Sequence, residues 1–321
     1  MKIKLPGFVD LQVNGYIGID FSNPGLTKDN FIKACIAVIE KGTAVFLPTI
    51  ITSSEALFKR NLELIADGIR HNDLKNHIPG IHIEGPFISG KEGAVGAHNP
   101  EWVKKPDIPF LEKLIEWSDE TVKMITIAAE PDGADVLCRY AASRGIAVSL
   151  GHHLAGEEEI NRLSDAGARA LTHLGNGVPQ TINRHHNPIW AGLANQNLTA
   201  MVITDGHHLP VPVLKTIIRA KGTEKIVVVS DASPIAGLPA GRYNTLGNEV
   251  ILEENGRLYN PDTGYLVGSS SNMIQCIKFL SSLELLTEDE LVDVGFNNPL
   301  RLIGLDPEKV LNDHPSHEIR L

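Results

Sequence analysis

Short runs of β-branched and apolar residues recur along the chain, and each ends at a polar residue or a Gly/Pro break. In residues 81–86, IHIEGP, Ile81 and Ile83 alternate with His82 and Glu84 before Gly85-Pro86 stops the run. Alternation of this kind predicts a strand, and Gly-Pro its end. Seven other runs have the same form: GFVDLQVNG (7–15), TAVFLPT (43–49), KMITIAAE (123–130), IAVSLGH (146–152), RALTHLGN (169–176), LTAMVITDG (198–206) and KIVVVSDAS (225–233). Between most of them lie helix-like stretches such as TKDNFIKACIAVIEKG, SSEALFKRNLELIADGIR and GEEEINRLSDAG, several opening on a capping residue and closing on Gly.

Strands alternating with helices imply a parallel sheet, because right-handed crossovers cover its faces. Eight such units predict an α/β fold, a (β/α)8 barrel of the TIM type. A doubly wound open sheet is the alternative, but the dinucleotide fingerprint is missing from the first strand-to-helix turn. SSSNMIQCIKFLSSLELL and TEDELVDVGFNNPLRLIG supply the last covering helices, a helical tail from about 269. With no linker, internal repeat or low-complexity segment, residues 1–321 read as a single catalytic barrel domain.

Composition narrows the partners. The formal charge is −10, with no basic tail or Lys/Arg cluster, which argues against nucleic acid or an anionic membrane. Cys35, Cys138 and Cys276 are odd in number and scattered, and read as small hydrophobes in a reducing compartment. MKIKLPGFVD contains no signal-peptide core, and no apolar run is long enough to span a bilayer. A cytoplasmic protein is the expectation.

Barrel enzymes draw their catalytic groups from the C-terminal ends of the strands. There stand Gln12 and Asn14, then Glu84, Glu130, His152, His173, Asp205 with His208, and Asp231. An unpaired carboxylate ending a buried strand is costly, and a cation would compensate Glu84. One Glu and two His from separate strands, with a position open for water, form a catalytic zinc-type set. Singly, each has a plainer reading: a strand-end His is more often a hydrogen-bonded structural residue, and a strand-end Asp often caps a helix. The joint pattern is harder to explain that way. Glu130, preceding Pro131, is the weakest member and reads equally as a cap. Asp231, in VVVSDAS, is suited to take a proton from water activated beside it and deliver it to a leaving group. The loop GNGVPQTINRHHNP (175–188) carries Arg184, His185 and His186, and suits either a phosphate or ordinary solvated surface.

These motifs resemble the N-acetylglucosamine-6-phosphate deacetylases of the amidohydrolase superfamily. The resemblance runs from PGFVDLQVNG through HIEGPFIS, GAHNP, SLGHHLA, THLGNG, ITDGHH, VSDASPIAG and LVGSSSNM, over most of the chain. It implies that Glu84, His152 and His173 hold one divalent metal ion, zinc being the expected one, with Fe, Co and Mn suited to the same set. It implies that Asp231 is the acid/base and that His208, with Asp205 beside it, holds the substrate and polarises its amide carbonyl. Arg184, Asn176 and Gly177 would receive a 6-phosphate, and Ala97, His98 and Val267 would line the sugar site. Gln12 and Asn14 stand where many amidohydrolases carry a His-x-His pair, which implies a vestigial second metal site. Members usually begin with a stretch that joins the C-terminal segment in a small β-sandwich, so the resemblance implies a form lacking that domain. The loop reads NGVPQTINRHHNP where Asn-Ala-Met without a His pair is common, and GHHLA puts His153 where a small polar residue is usual. These departures fall on the sugar-phosphate side, so the motifs define a reaction class better than a substrate.

The implied function is hydrolysis of the N-acetyl group of N-acetylglucosamine 6-phosphate to the free amine and acetate. An unphosphorylated amino sugar or another N-acyl substrate is the nearest alternative. A sugar-phosphate isomerase or aldolase would need a strand-end lysine, and none is seen. A non-catalytic sugar-binding relative is opposed by the presence of Glu84, His152, His173 and Asp231 together. The partner expected is a small amino sugar; a homodimer is compatible with the sequence, which does not determine the assembly.

Overall fold

The computed structural model describes residues 2–321. Eight parallel strands neighbour one another in chain order: β1 (Phe8–Val13), β2 (Thr43–Ile51), β3 (Ile81–Glu84), β4 (Val122–Ile127), β5 (Ala147–Leu150), β6 (Ala170–Leu171), β7 (Thr199–Ile203) and β8 (Ile226–Val229). Nearly every residue in them is buried, as a sheet with a filled interior and helix-covered exterior requires. All eight fall inside the runs read from the sequence or overlap them. The first strand meets the segment just beyond the last through an isolated bridge, Val13–Ala232, rather than a ladder.

Helices alternate with the strands: α1 (Lys28–Glu40), α2 (Glu55–Ile69), α3 (Ile108–Trp117), α4 (Ala134–Ser143), α5 (Glu157–Asp165), α6 (Pro188–Ala194), α7 (Val211–Lys221) and α8 (Met273–Ser282). Thr27 and Ser54 cap α1 and α2 by accepting the N–H groups of Asn30 and Leu57, and each of these two helices buries one apolar face. Phe31 of α1 and Phe58, Leu62 and Ile65 of α2 are wholly buried.

Inside the barrel, under the strand ends, lies a polar layer. His82 Nδ1 donates to Leu11 O at 2.9 Å, so its Nε2 accepts from Thr126 Oγ1 at 2.8 Å. Thr126 Oγ1 in turn bonds Thr172 Oγ1 at 2.8 Å, and Thr172 bonds Ser149 Oγ at 2.6 Å. Burial pushes His82 down to about 4, so the ring is neutral and the chain of hydroxyls is paired from one strand to the next.

Two features depart from the sequence reading. The tail expected to be helical from about 269 ends in a strand. His317–Arg320 pairs antiparallel with Lys2–Leu5, burying Ile3 and Ile319 and tying the two ends of the chain together. Between β8 and α8 stands an antiparallel meander that the sequence reading missed: Gly241–Thr245, Asn248–Leu252 and Leu258–Tyr259. Its first hairpin turns at Leu246-Gly247, both residues at positive φ (49° and 74°), as a hairpin turn matched to strand twist requires. Val250, Leu252 and Leu258 of the meander form a second small core with Ile235 and Val267, and Ala97 packs on it.

Candidate active site

The strands deliver their polar residues at one level. Glu84 is the last residue of β3, while His152, His173, Asp205 and Asp231 each stand two residues beyond the ends of β5, β6, β7 and β8. Three of them adopt positive φ: His152 at 52°, His173 at 32° and Asp231 at 50°. A non-glycine residue in that region costs about 1–3 kcal/mol and persists where its surroundings over-determine it.

Glu84 Oε1 lies 3.2 Å from His152 Nε2 and 3.1 Å from His173 Nε2, and the two ring nitrogens are 3.0 Å apart. A tetrahedral shell with zinc–nitrogen bonds near 2 Å has edges of about 3.3 Å, so these donors are spaced as ligands around one cation. His152 Nδ1 donates to Ala94 O at 2.8 Å, which leaves the Nε2 lone pair facing the centre. Glycines let the backbone close on these rings: a Cβ on Gly96 would stand 2.9 Å from His152 Cε1, and one on Gly177 3.0 Å from His173 Cε1.

The ligand atoms of Glu84, His98 and His152 also lie within 4.8 Å of one another. Tautomers separate the two sets. Thr52 N–H donates to His98 Nδ1 at 3.2 Å, so a neutral His98 carries its proton on Nε2, the nitrogen 3.3 Å from His152 Nε2. Burial and His152 push His98 down to about 3, so the ring is neutral and presents a donor, not a lone pair. Glu84, His152 and His173 are therefore the set that fits a cation, and His98 stands beside it as an N–H donor.

Burial alone would raise Glu84, but the imidazoles of His152 and His173 packed against it outweigh burial and hold the carboxyl well below the usual carboxylate range. Asp231 is the opposite case. Burial, with the charge of Glu84, pushes it up to about 6. Two carboxylates in one site with such different proton affinities are suited to different tasks. Gln12 Nε2 donates to Glu84 Oε1 at 2.9 Å and Asn14 Nδ2 to Asp231 Oδ1 at 2.8 Å. Both amides turn N–H groups, not lone pairs, towards the acids, while Gln12 Oε1 and Asn14 Oδ1 have no hydrogen-bond partner among the described residues.

Asp205 does not offer a free carboxylate. Oδ1 accepts the N–H groups of His207 and His208, both at 2.9 Å, and Oδ2 accepts His208 Nδ1–H at 2.8 Å and Ser269 Oγ–H at 2.9 Å. Burial alone would raise Asp205, but its hydrogen bonds, chiefly from His208, hold it well below the usual range. It orients His208 instead of facing a ligand itself. Glu130 accepts Leu154 N–H at 3.1 Å, pinning the turn after β5; α4 is entered through Gly133, so Glu130 caps no helix. His153 accepts Ala155 N–H on its own Nδ1 and is pushed down to about 3 by burial and His152.

The loop between β6 and α6 is unlike the rest. Arg184 is exposed, with no acidic partner among the described residues, and its carbonyl accepts Trp190 Nε1–H at 2.9 Å. His185 and His186 are exposed and give their backbone N–H groups to Asn183 Oδ1. Asn176 Nδ2 donates back to His173 O. Ala97 and Val267 meet in the small second core. Sequence reading missed Asp10, Ser230 and Ser269. Ser269 N–H donates to Asp231 O while its hydroxyl reaches Asp205. The only signal for Ser269 was its place in LVGSSSNM, and for Ser230 its place before Asp231.

No protein-family profile matches the chain. It is 31% identical over 320 residues to an N-acetylglucosamine-6-phosphate deacetylase of Danio rerio, covering 96% of this chain and 77% of that one. It is 28% identical over 305 residues to an N-acetylgalactosamine-6-phosphate deacetylase of Escherichia coli O157:H7, covering 95% and 79%. Its fold matches the crystal structure of N-acetyl-D-glucosamine-6-phosphate deacetylase from Mycobacterium smegmatis with a TM-score of 0.88 at 27% identity, over 99% of this chain and 83% of that one. A mutant of that enzyme, solved in complex with N-acetyl-D-glucosamine-6-phosphate, matches with a TM-score of 0.86 at 27% identity, over 95% and 78%. The chain belongs to the N-acetylglucosamine-6-phosphate deacetylase family, within the metal-dependent amidohydrolase barrels.

Proposed function

We propose that the protein removes the acetyl group of N-acetylglucosamine 6-phosphate, giving glucosamine 6-phosphate and acetate. The observation that carries this reading is the convergence of Glu84 Oε1, His152 Nε2 and His173 Nε2 within 3.2 Å of one another, beside a carboxyl, Asp231, poised near neutrality. A single divalent ion, zinc by the preference of a His2Glu set, would be held by those three residues and would supply Lewis acidity at the centre. Gln12 and Asn14 fill the place of a second ion with hydrogen bonds of their own.

The chain's residues then divide the proton work. Asp231, ionised, takes a proton from the attacking water as its oxygen adds to the acetyl carbon. Asp205 accepts His208 Nδ1–H and so orients the ring towards the carbonyl oxygen, where charge develops. Asp231 returns its proton to the amide nitrogen, the C–N bond breaks, and amine and acetate leave. Arg184, with backbone N–H groups near Asn176 and Gly177, receives the 6-phosphate. A relative named for the galactosamine isomer makes the sugar's C4 configuration the open choice. Three buried free thiols, and no helix among the described residues long and apolar enough to cross a membrane, suit the cytoplasm.

The test is acetate release from a panel of the gluco and galacto isomers, each with and without the 6-phosphate, together with elemental analysis. Phosphorylated substrates are expected to lead, with about one ion per chain. Preference for unphosphorylated sugars, or two ions per active chain, overturns the reading.

A further inference from the structure

We infer that Asp10 is a positioning residue for Asp231, a side-chain clasp replacing the backbone ladder that β1 and β8 do not form. The inference rests on the reading of Asp231 as proton carrier. Across the barrel's other seams the strands exchange runs of main-chain hydrogen bonds, but at this one, where the base sits, a bridge at Val13–Ala232 is all that remains. Asp10, on β1, is 2% exposed. Its Oδ1 accepts the backbone N–H of Ser230 at 3.1 Å and of Gln12 at 3.3 Å, and its Oδ2 accepts the Ser230 hydroxyl in a short bond. The same hydroxyl oxygen accepts Ala232 N–H at 3.0 Å. Asp10 thereby fixes the residue before Asp231 directly and the residue after it through one intermediary.

The residue between them needs that grip, because Asp231 holds φ at 50°, a conformation that a non-glycine residue leaves when it can. Asn14 N–H on Ala232 O at 2.8 Å and Ser269 N–H on Asp231 O at 2.9 Å complete the frame. A buried carboxylate at an ordinary strand position would be a poor choice for packing alone. Two acceptor oxygens aimed at the N–H and O–H of Ser230 make sense as a brace for its neighbour Asp231. Asp10 touches no ligand atom of the Glu84 centre and no group that would meet substrate; it acts through Ser230 on Asp231, its one contact towards Glu84 being the backbone N–H of Gln12 at 3.3 Å.

The test is a double-mutant comparison on metal-loaded enzyme. Asp10→Asn keeps the shape and an oxygen for the two backbone N–H groups but turns an N–H instead of a lone pair towards the Ser230 hydroxyl, and Ser230→Ala removes the hydroxyl while leaving Asp10 intact. Each is expected to lower kcat about 10–100-fold with KM moved less than about threefold and bound metal unchanged, the scale at which supporting partners act. Placed in an Asp231→Asn background, neither should lower kcat further. A wild-type kcat in both variants overturns the inference. So does an equal loss in the Asp231→Asn background, which would mark Asp10 as a general prop of the fold. Should Asp231→Asn alone retain full turnover, it is the proton-carrier reading that fails, and the two failures are told apart.

Discussion

The two sides of the site are built differently. Around Glu84, His152, His173 and Asp231 every side chain is buried, and most polar atoms have a partner from another strand. Around Arg184 the side chains stand in solvent, and the hydrogen bonds are local ones within the loop itself. Buried donors and acceptors are worth more, because solvent neither screens nor replaces them. On the proposed function, chemistry that must be repeated at every turnover falls where geometry is over-determined, and recognition of the phosphate where a loop can adjust. The same contrast governs how much a change on either side should matter.

The largest effect is expected at the base. Asp231→Asn preserves shape but cannot accept a proton, so turnover should fall roughly 10²–10⁴-fold while elemental analysis still finds the ion. Near-normal activity in metal-loaded Asp231→Asn protein would falsify the proposed chemistry. The pH profile sharpens the point. As the proposed base, Asp231 would work only when ionised, and burial with the charge of Glu84 pushes it up to about 6. A cation at Glu84 favours the carboxylate form and draws that value down. The acid limb of kcat/KM should therefore lie no higher than the buried group's value, and its distance from the ordinary aspartate value of about 3.9 reads how far the cation offsets burial. Activity is lost as pH falls through that limb, not as it rises.

Gly177 is where the two sides touch. It belongs to the loop by sequence, yet at φ 63° it lies against both ligand rings. Gly177→Ala adds a methyl group 3.0 Å from His173 Cε1 and 3.1 Å from His152 Nδ1, in a conformation that alanine resists. Disturbed support of metal-holding histidines typically costs roughly 10–100-fold in affinity, so a weakening of that order is expected in a chelator competition. Unchanged metal affinity would mean that the loop yields more readily than the buried side, and would separate the two regions further.

This division also explains what could be read from the sequence. The eight strands were legible because each is a short apolar run with a sharp end. Glu84, His152, His173 and Asp231 were legible because charge at the end of such a run is anomalous. Asp10 was not, since one acid inside GFVDLQVNG gives no hint of which strand its oxygens will face. Asp205 was seen, but sequence shows only a carboxylate beside His208 and cannot show that four donors of the chain itself already occupy it. The meander at 241–259 was lost because strands half exposed to solvent carry weaker apolar runs than barrel strands do.

The smallest expected effect, and the sharpest on substrate, lies on the exposed side. The protein's charge of −10 repels a phosphorylated sugar at long range, so capture depends on local donors. Arg184 offers a planar fork suited to two hydrogen bonds with phosphate. Its guanidinium is exposed and unpaired among the described residues, so it is free to turn towards a ligand but also screened by water. Arg184→Ala should therefore lower kcat/KM for the 6-phosphorylated sugar by about tenfold, the low end for a lost charge-assisted bond. The loss should appear mainly in KM, because the phosphate takes no part in the bond being broken and binds alike before and during reaction. The unphosphorylated sugar should hardly notice the change. His185→Ala and His186→Ala serve as controls: both side chains are exposed, only their backbone N–H groups are engaged, and less than about a twofold change is expected of either. If Arg184→Ala harms both sugars equally, the guanidinium is supporting the loop beside Trp190 rather than reading phosphate, and the contrast between a chemical side and a recognition side would have to be redrawn around Gly177.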